Sequence, residues 1–110
     1  MRLSQHNILV IVEAINQHVS LQQAELRLFG SRTKDNSRGG DIDLLLVLPD
    51  KMLYQEVAQK KIAILVEIQK QLGDQKIDLT LAIKEELKVD PFLKLIFPAS
   101  VILHSWLHSE

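Results

Sequence analysis

Apolar residues recur at spacings of three and four from Ser4 to Val19, through Ile8, Ile11, Val12, Ile15 and Val19. Asn7, Glu13, Asn16 and Gln17 occupy the opposite face, so this stretch is predicted to be an amphipathic helix with Ser4 as its N-cap. From Glu25 to Phe29 the period shortens to two, with Leu26 and Leu28 on one side and Arg27 and Phe29 on the other. A short strand ending at Gly30 follows from that alternation. Gly30 to Gly40 is the least hydrophobic stretch and holds three of the four glycines, so it reads as a loop with room for one helical turn at its start. Asp41 to Leu48 is a strand whose far half is apolar on both faces, as in a strand covered on both sides, and Pro49-Asp50 ends it. The helical period returns from Tyr54 to Leu72 and stops at Gly73, the residue type of a left-handed cap. Lys76 to Ile83 alternates again as a third strand, with Ile77, Leu79 and Leu81 facing one way and Asp78, Thr80 and Ala82 the other. After Asp90-Pro91 a short apolar helix runs from Phe92 to Phe97, and Val101 to Leu103 is a last short strand. The expected fold is a mixed α/β one, a small mixed sheet flanked by helices, in a single domain over residues 1–110.

Composition narrows the function classes. The chain has 110 residues, 46% of them hydrophobic and 25% charged, with 13 Lys+Arg against 14 Asp+Glu. At this size roughly 65% of the unfolded surface can be buried, enough for one modest core. A formal net charge of -1 removes the electrostatic argument for non-specific binding to nucleic acid or a membrane surface, so neither partner is expected. With no cysteine there is no disulfide scaffold, thiolate nucleophile or Cys-based zinc site. Met1 to Ile15 carries His6, Asn7 and Glu13 where a signal peptide would be apolar, and no window approaches 18 uninterrupted apolar residues. A cytoplasmic location is expected.

Three aspartates stand out by position. Asp41 and Asp43 are separated by one residue at the head of a strand, which directs both side chains to one face roughly 6.5 to 7 Å apart along the chain. Asp78 lies on the third predicted strand between apolar neighbours. If that strand pairs beside the second, all three carboxylates converge on one face of the sheet. Such a cluster is costly unpaired, because close like charges repel and raise one another's pKa values. A divalent cation relieves it, and hard oxygen ligands of this kind suit Mg²⁺ that draws its other ligands from water and substrate phosphates. Plainer readings stand beside this one. Asp-x-Asp after Gly-Gly can simply solvate a loop, although this pair opens the most apolar run of the chain. Asp78 can be an edge-strand charge that blocks aggregation. In the loop, Gly30 permits close approach of a phosphate to the backbone, and Ser31 offers a hydroxyl and an N–H. Arg32, Lys34 and Arg38 add positive charge, and a solvated connection is the plainer alternative there too. Neither a Walker A loop nor a dinucleotide fingerprint can be written on these residues.

Leu28-Phe29-Gly30-Ser31-Arg32, a polar loop, Gly40-Asp41-Ile42-Asp43-Leu44 and a later strand Asp occur here in one order. In that order they resemble the minimal nucleotidyltransferases of the DNA polymerase β superfamily, over nearly the whole chain. Thr33, Lys34, Asp35 and Gly40 stand where many relatives have Ala-Arg-Gly and a Ser. The resemblance implies a polymerase-β-like nucleotidyltransferase fold with Gly30, Ser31 and Arg32 at the β- and γ-phosphates of a nucleoside triphosphate. It further implies that Asp41, Asp43 and Asp78 hold two Mg²⁺ ions, or Mn²⁺ in their place, and act as the catalytic carboxylates. The reaction implied is in-line attack on the α-phosphorus of ATP with release of pyrophosphate. Minimal members of the superfamily often pair with a small helical HEPN-type protein, a toxic RNase, so the resemblance implies an antitoxin that transfers AMP to a hydroxyl of that partner.

Once one sheet and its covering helices are assigned, only about ten residues of tail remain, so no separate substrate domain is expected. The acceptor site is therefore expected to be completed by a partner or by a second copy in a homodimer. A non-catalytic antitoxin or nucleotide-binding module acting by contact is the alternative, and transfer to a small molecule such as an antibiotic ranks below it. His104 and His108 have i,i+4 spacing but no Glu between them, and a solvated tail is the expected reading rather than zinc. Trp106 and Leu107 either fold back on the core or anchor a partner, and Tyr54 is expected to pack at a helix start. Phe92, Leu95, Ile96 and Phe97 are dense for a short helix and are expected in the core, with an extended dimer surface as the alternative.

Overall fold

The computed structural model describes residues 3–30, 41–73 and 75–107. Helix α1 (Gln5–His18) begins where Ser4 accepts a hydrogen bond from the Asn7 N–H at 3.0 Å, satisfying one of the orphan donors of its first turn. Strands β1 (Ala24–Phe29) and β2 (Ile42–Leu48) follow, then helix α2 (Lys51–Leu72) and strand β3 (Ile77–Ile83). A single 3₁₀ turn, Lys84–Glu86, leads to helix α3 (Pro91–Ile96) and strand β4 (Val101–Trp106).

Two boundaries differ by three residues from the sequence expectation, each for a local reason. Helix α2 starts at Lys51 rather than Tyr54 because Asp50 caps it, accepting from the Leu53 N–H at 2.9 Å. Strand β4 runs through Trp106 rather than stopping at Leu103, so the tail is an edge strand of the sheet. Trp106 pairs with Ala24, stacks edge-on against His104 and donates its indole N–H to the Asn16 side chain at 2.8 Å. His104 is therefore a strand residue and Trp106 folds back on the core; His108 lies outside the described residues.

The sheet has the order β3-β2-β1-β4, with β2 and β3 parallel and the other neighbours antiparallel. Alternation along β2 explains its double-sided apolarity. Ile42, Leu44, Leu46 and Leu48 join the main core with Ile11, Ile15, Ile64 and Ile68 of the two long helices. Leu45 and Val47 point the other way, into a smaller cluster with Ala82, Leu93 and Ile96 that α3 closes. Of the short helix, Leu93 and Ile96 are core, whereas Phe92 is 49% and Leu95 74% exposed. Asp90 holds α3 in place by accepting from the Phe92 and Leu93 N–H groups. Arg27 ties the segment after α3 down: its guanidinium lies 4.4 Å over Phe97 and donates to Ser100 and Glu25, each at 2.7 Å. Tyr54 packs against the main core as expected. Among the described residues no helix is long and apolar enough to cross a membrane.

Candidate functional site

On the α3 face of β2, Leu45 is fully buried, and two residues earlier Asp43 emerges beyond the edge of that small cluster. The register fixes its neighbours. Asp43 pairs with Phe29 of β1 on one side and with Asp78 of β3 on the other. Because β2 and β3 are parallel and in register, the two carboxylates occupy adjacent positions on one face. The charge of Asp78 therefore bears directly on the Asp43 carboxyl. Asp78 thus turns over the face of the sheet toward Asp43, although it sits on an edge strand.

The pKa of Asp43 is raised above the ordinary carboxylate range. Loss of solvent around the carboxyl is the main cause, followed by the charges of Asp78 and Asp41 and the hydrogen bond to Asp78; Lys76 opposes them. Asp41 stands apart from this pair. It lies just before β2, and its half-exposed carboxylate faces the Lys76 ammonium at 3.8 Å. Among the described residues no three His, Cys, Asp or Glu side chains gather closely enough to hold one ion. The convergence expected of three aspartates is thus realised by two, with the third within electrostatic range and engaged by Lys76.

Gly30 ends β1 directly against this pair. Its φ is +83°, and a Cβ built there would overlap the Asp43 carboxyl and approach its Cγ to 3.2 Å. The position demands glycine twice over, for the backbone angle and for the space. Ser31 and Arg32 lie outside the described residues.

A cleft of ≈490 Å³ opens over the pair and wraps around the edge of β3; Phe29, Lys61, Thr80 and Phe92 line it together with both aspartates. Phe29 and Phe92 meet edge to face, 6.3 Å between ring centres. A larger hollow of ≈660 Å³ beside Lys84, Lys88, Lys94 and Phe97 contains neither carboxylate, so the chemistry points to the smaller one. Sequence reasoning missed Lys61, Thr80 and Phe92 as cleft residues. The polar face of α2 carries several lysines with nothing to single out Lys61, and Phe92 reads as core from its apolar neighbours. The donor set fits Mg²⁺, which is commonly held by one or two carboxylates with phosphates completing its shell. Two oxygen ligands already forced together are relieved of their repulsion by such an ion.

A family model described as a nucleotidyltransferase domain matches residues 9–102, a span that includes Gly30, Asp41, Asp43 and Asp78. No curated protein matches the chain.

Proposed function

The chain belongs to the nucleotidyltransferase-domain family, and from that premise we propose that it transfers AMP from ATP to a hydroxyl of a protein partner, with Asp43 and Asp78 at the reacting centre. The observation that carries this reading is the in-register Asp43–Asp78 pair at the mouth of a cleft large enough for a nucleotide. Asp41 joins them when its carboxylate leaves Lys76. Gly30, with Ser31 and Arg32, takes the β- and γ-phosphates. Two divalent ions, Mg²⁺ or Mn²⁺, held by Asp41, Asp43 and Asp78 would supply charge neutralisation at the entering and departing oxygens.

The chain's own groups then act in sequence. The Asp78 carboxylate accepts the proton of the attacking hydroxyl, whose oxygen forms a bond to the α-phosphorus. The bond from that phosphorus to the bridging oxygen of the β-phosphate breaks, and pyrophosphate leaves. The half-exposed Phe92 offers an apolar wall beside the reacting centre, and Lys61 a cation at the cleft rim. The partner we assign, on the resemblance of the Gly30–Leu44 motif, is a HEPN-type RNase in the cytoplasm. AMP on that protein silences it, and the present chain is its antitoxin. The test is transfer from α-³²P-ATP with Mg²⁺ to the co-expressed partner. Label on the partner that vanishes with Asp43→Asn supports the reading. Neutralisation that survives Asp43→Asn without label would instead indicate inhibition by contact.

A further inference from the structure

We infer that the open edge of β3 receives the acceptor as an added strand, so that an extended, hydroxyl-bearing polypeptide segment is aligned by backbone pairing beside Asp78. This rests on the transfer reading above and adds to it how the acceptor is recognised.

The phase of the ladder identifies the free groups. The Ile42 N–H donates to the Lys76 carbonyl at 2.9 Å. In a parallel pair this means that even-numbered residues of β3 bond β2, while Ile77, Leu79 and Leu81 direct their N–H and C=O outward. No described strand pairs on that side. Natural edge strands are usually blunted by lysine, proline, a bulge or a cover. β4, the opposite edge, has its register broken between Leu26 and Arg27 of its partner strand. Among the described residues β3 has one such device at most, the charge of Asp78. Its seven pairs with β2 run without irregularity, it contains no Lys or Pro, and its one charge is Asp78.

The edge is also continuous with the site. The cleft that contains Asp43 and Asp78 wraps around β3, reaching Leu79 on one face and Thr80 on the other, with Lys61 at its rim. A strand laid there would have its backbone about 4.8 Å from β3. The residue opposite Asp78 on the α3 face would bring its Cβ about 5 Å from that of Asp78, and a longer side chain one step along would reach it diagonally. Backbone bonds then supply affinity and the alternate side chains supply specificity. An acceptor presented in this way needs no cavity shaped around a small molecule.

The test uses the full chain with Mg²⁺, ATP and a peptide of about nine alternating threonine, valine and tyrosine residues, a length typical of an added strand. A twin peptide N-methylated at alternate backbone nitrogens is the control. The plain peptide is expected to slow amide exchange at Leu79 and Leu81 by about ten-fold or more and to accept label from α-³²P-ATP, and the twin to do neither. Leu81→Pro removes one outward N–H without cutting the ladder to β2. It is expected to lower transfer to the plain peptide at least about ten-fold relative to Leu81→Ala, which loses the same side-chain packing. Equal transfer to both peptides, or no protection at Leu79 and Leu81, overturns the inference. Protection without any transfer leaves the docking edge standing and refutes the transfer reading instead.

Discussion

Gly30→Ala separates a structural role from a chemical one at a single position. The residue has φ +83°, where a β-carbon costs about 1–2 kcal/mol. In a domain of this size that lowers the melting temperature by about 4 to 10 °C. The new methyl would also overlap the Asp43 carboxyl, with Cγ at 3.2 Å against an ordinary carbon–carbon separation of about 3.5–4.0 Å. The Asp43 carboxyl must therefore rotate or retreat from its position beside Asp78. A displacement approaching 1 Å at a reacting group costs on the order of 100-fold in rate. Thermal unfolding and α-labelled ATP transfer measure the two parts. Repeating the substitution on an Asp43→Ala background removes the steric part, so the stability loss there should shrink to the backbone term. If Gly30→Ala melts within about 1 °C of the unmodified protein, or retains activity within about three-fold, less than 1 kcal/mol of barrier, the close approach of Gly30 to Asp43 is not what the position is selected for.

Other consequences can be checked independently. The folded pKa of Asp43 lies above its ordinary 3.8, so the metal-free fold holds that proton more tightly than the unfolded chain. The contribution of Asp43 to stability is then fully present below 3.8 and is lost as pH rises through the folded pKa. Urea titrations across pH should show that decline in the unmodified protein and not in Asp43→Asn; identical profiles would contradict it. Lys76→Ala frees Asp41 from its 3.8 Å partner and removes a competing cation, so Mn²⁺ titrations should show several-fold tighter binding at a stability cost below about 1 kcal/mol. Weaker binding would mean that Lys76 supports the ion instead of competing with it. Arg27→Ala removes the stacking on Phe97 and the bonds to Ser100 and Glu25, and chemical denaturation should register a loss of about 2–3 kcal/mol.

The parts of this fold that are legible in the sequence are those where one short-range rule decides. The three-four spacing from Ile8 to Val19 gives α1, and the double-sided apolarity of Leu44 to Leu48 gives a strand buried between helices on both faces. The Asp43–Asp78 adjacency follows once β2 and β3 are set side by side. Long-range contacts are less visible. His104-Ser105-Trp106 has too little apolar character to announce a strand, and what holds it is β1 and the bond from Trp106 to Asn16. The sequence places Asp41 on the same face as Asp43, but the chain enters the strand only at Ile42, and Lys76 draws the Asp41 carboxylate aside. In the sequence Gly30 reads as a backbone that a phosphate can approach; in the structure the space a β-carbon would take there is filled by the Asp43 carboxyl.

The most direct test of the account is a crystal structure of the chain soaked with Mn²⁺ and a non-hydrolysable ATP analogue. Anomalous density bound by Asp43 and Asp78 is expected, with Asp41 turned from Lys76 toward it and the triphosphate beside Gly30. Metal and nucleotide bound elsewhere, with the Asp41 carboxylate still on Lys76, would contradict it.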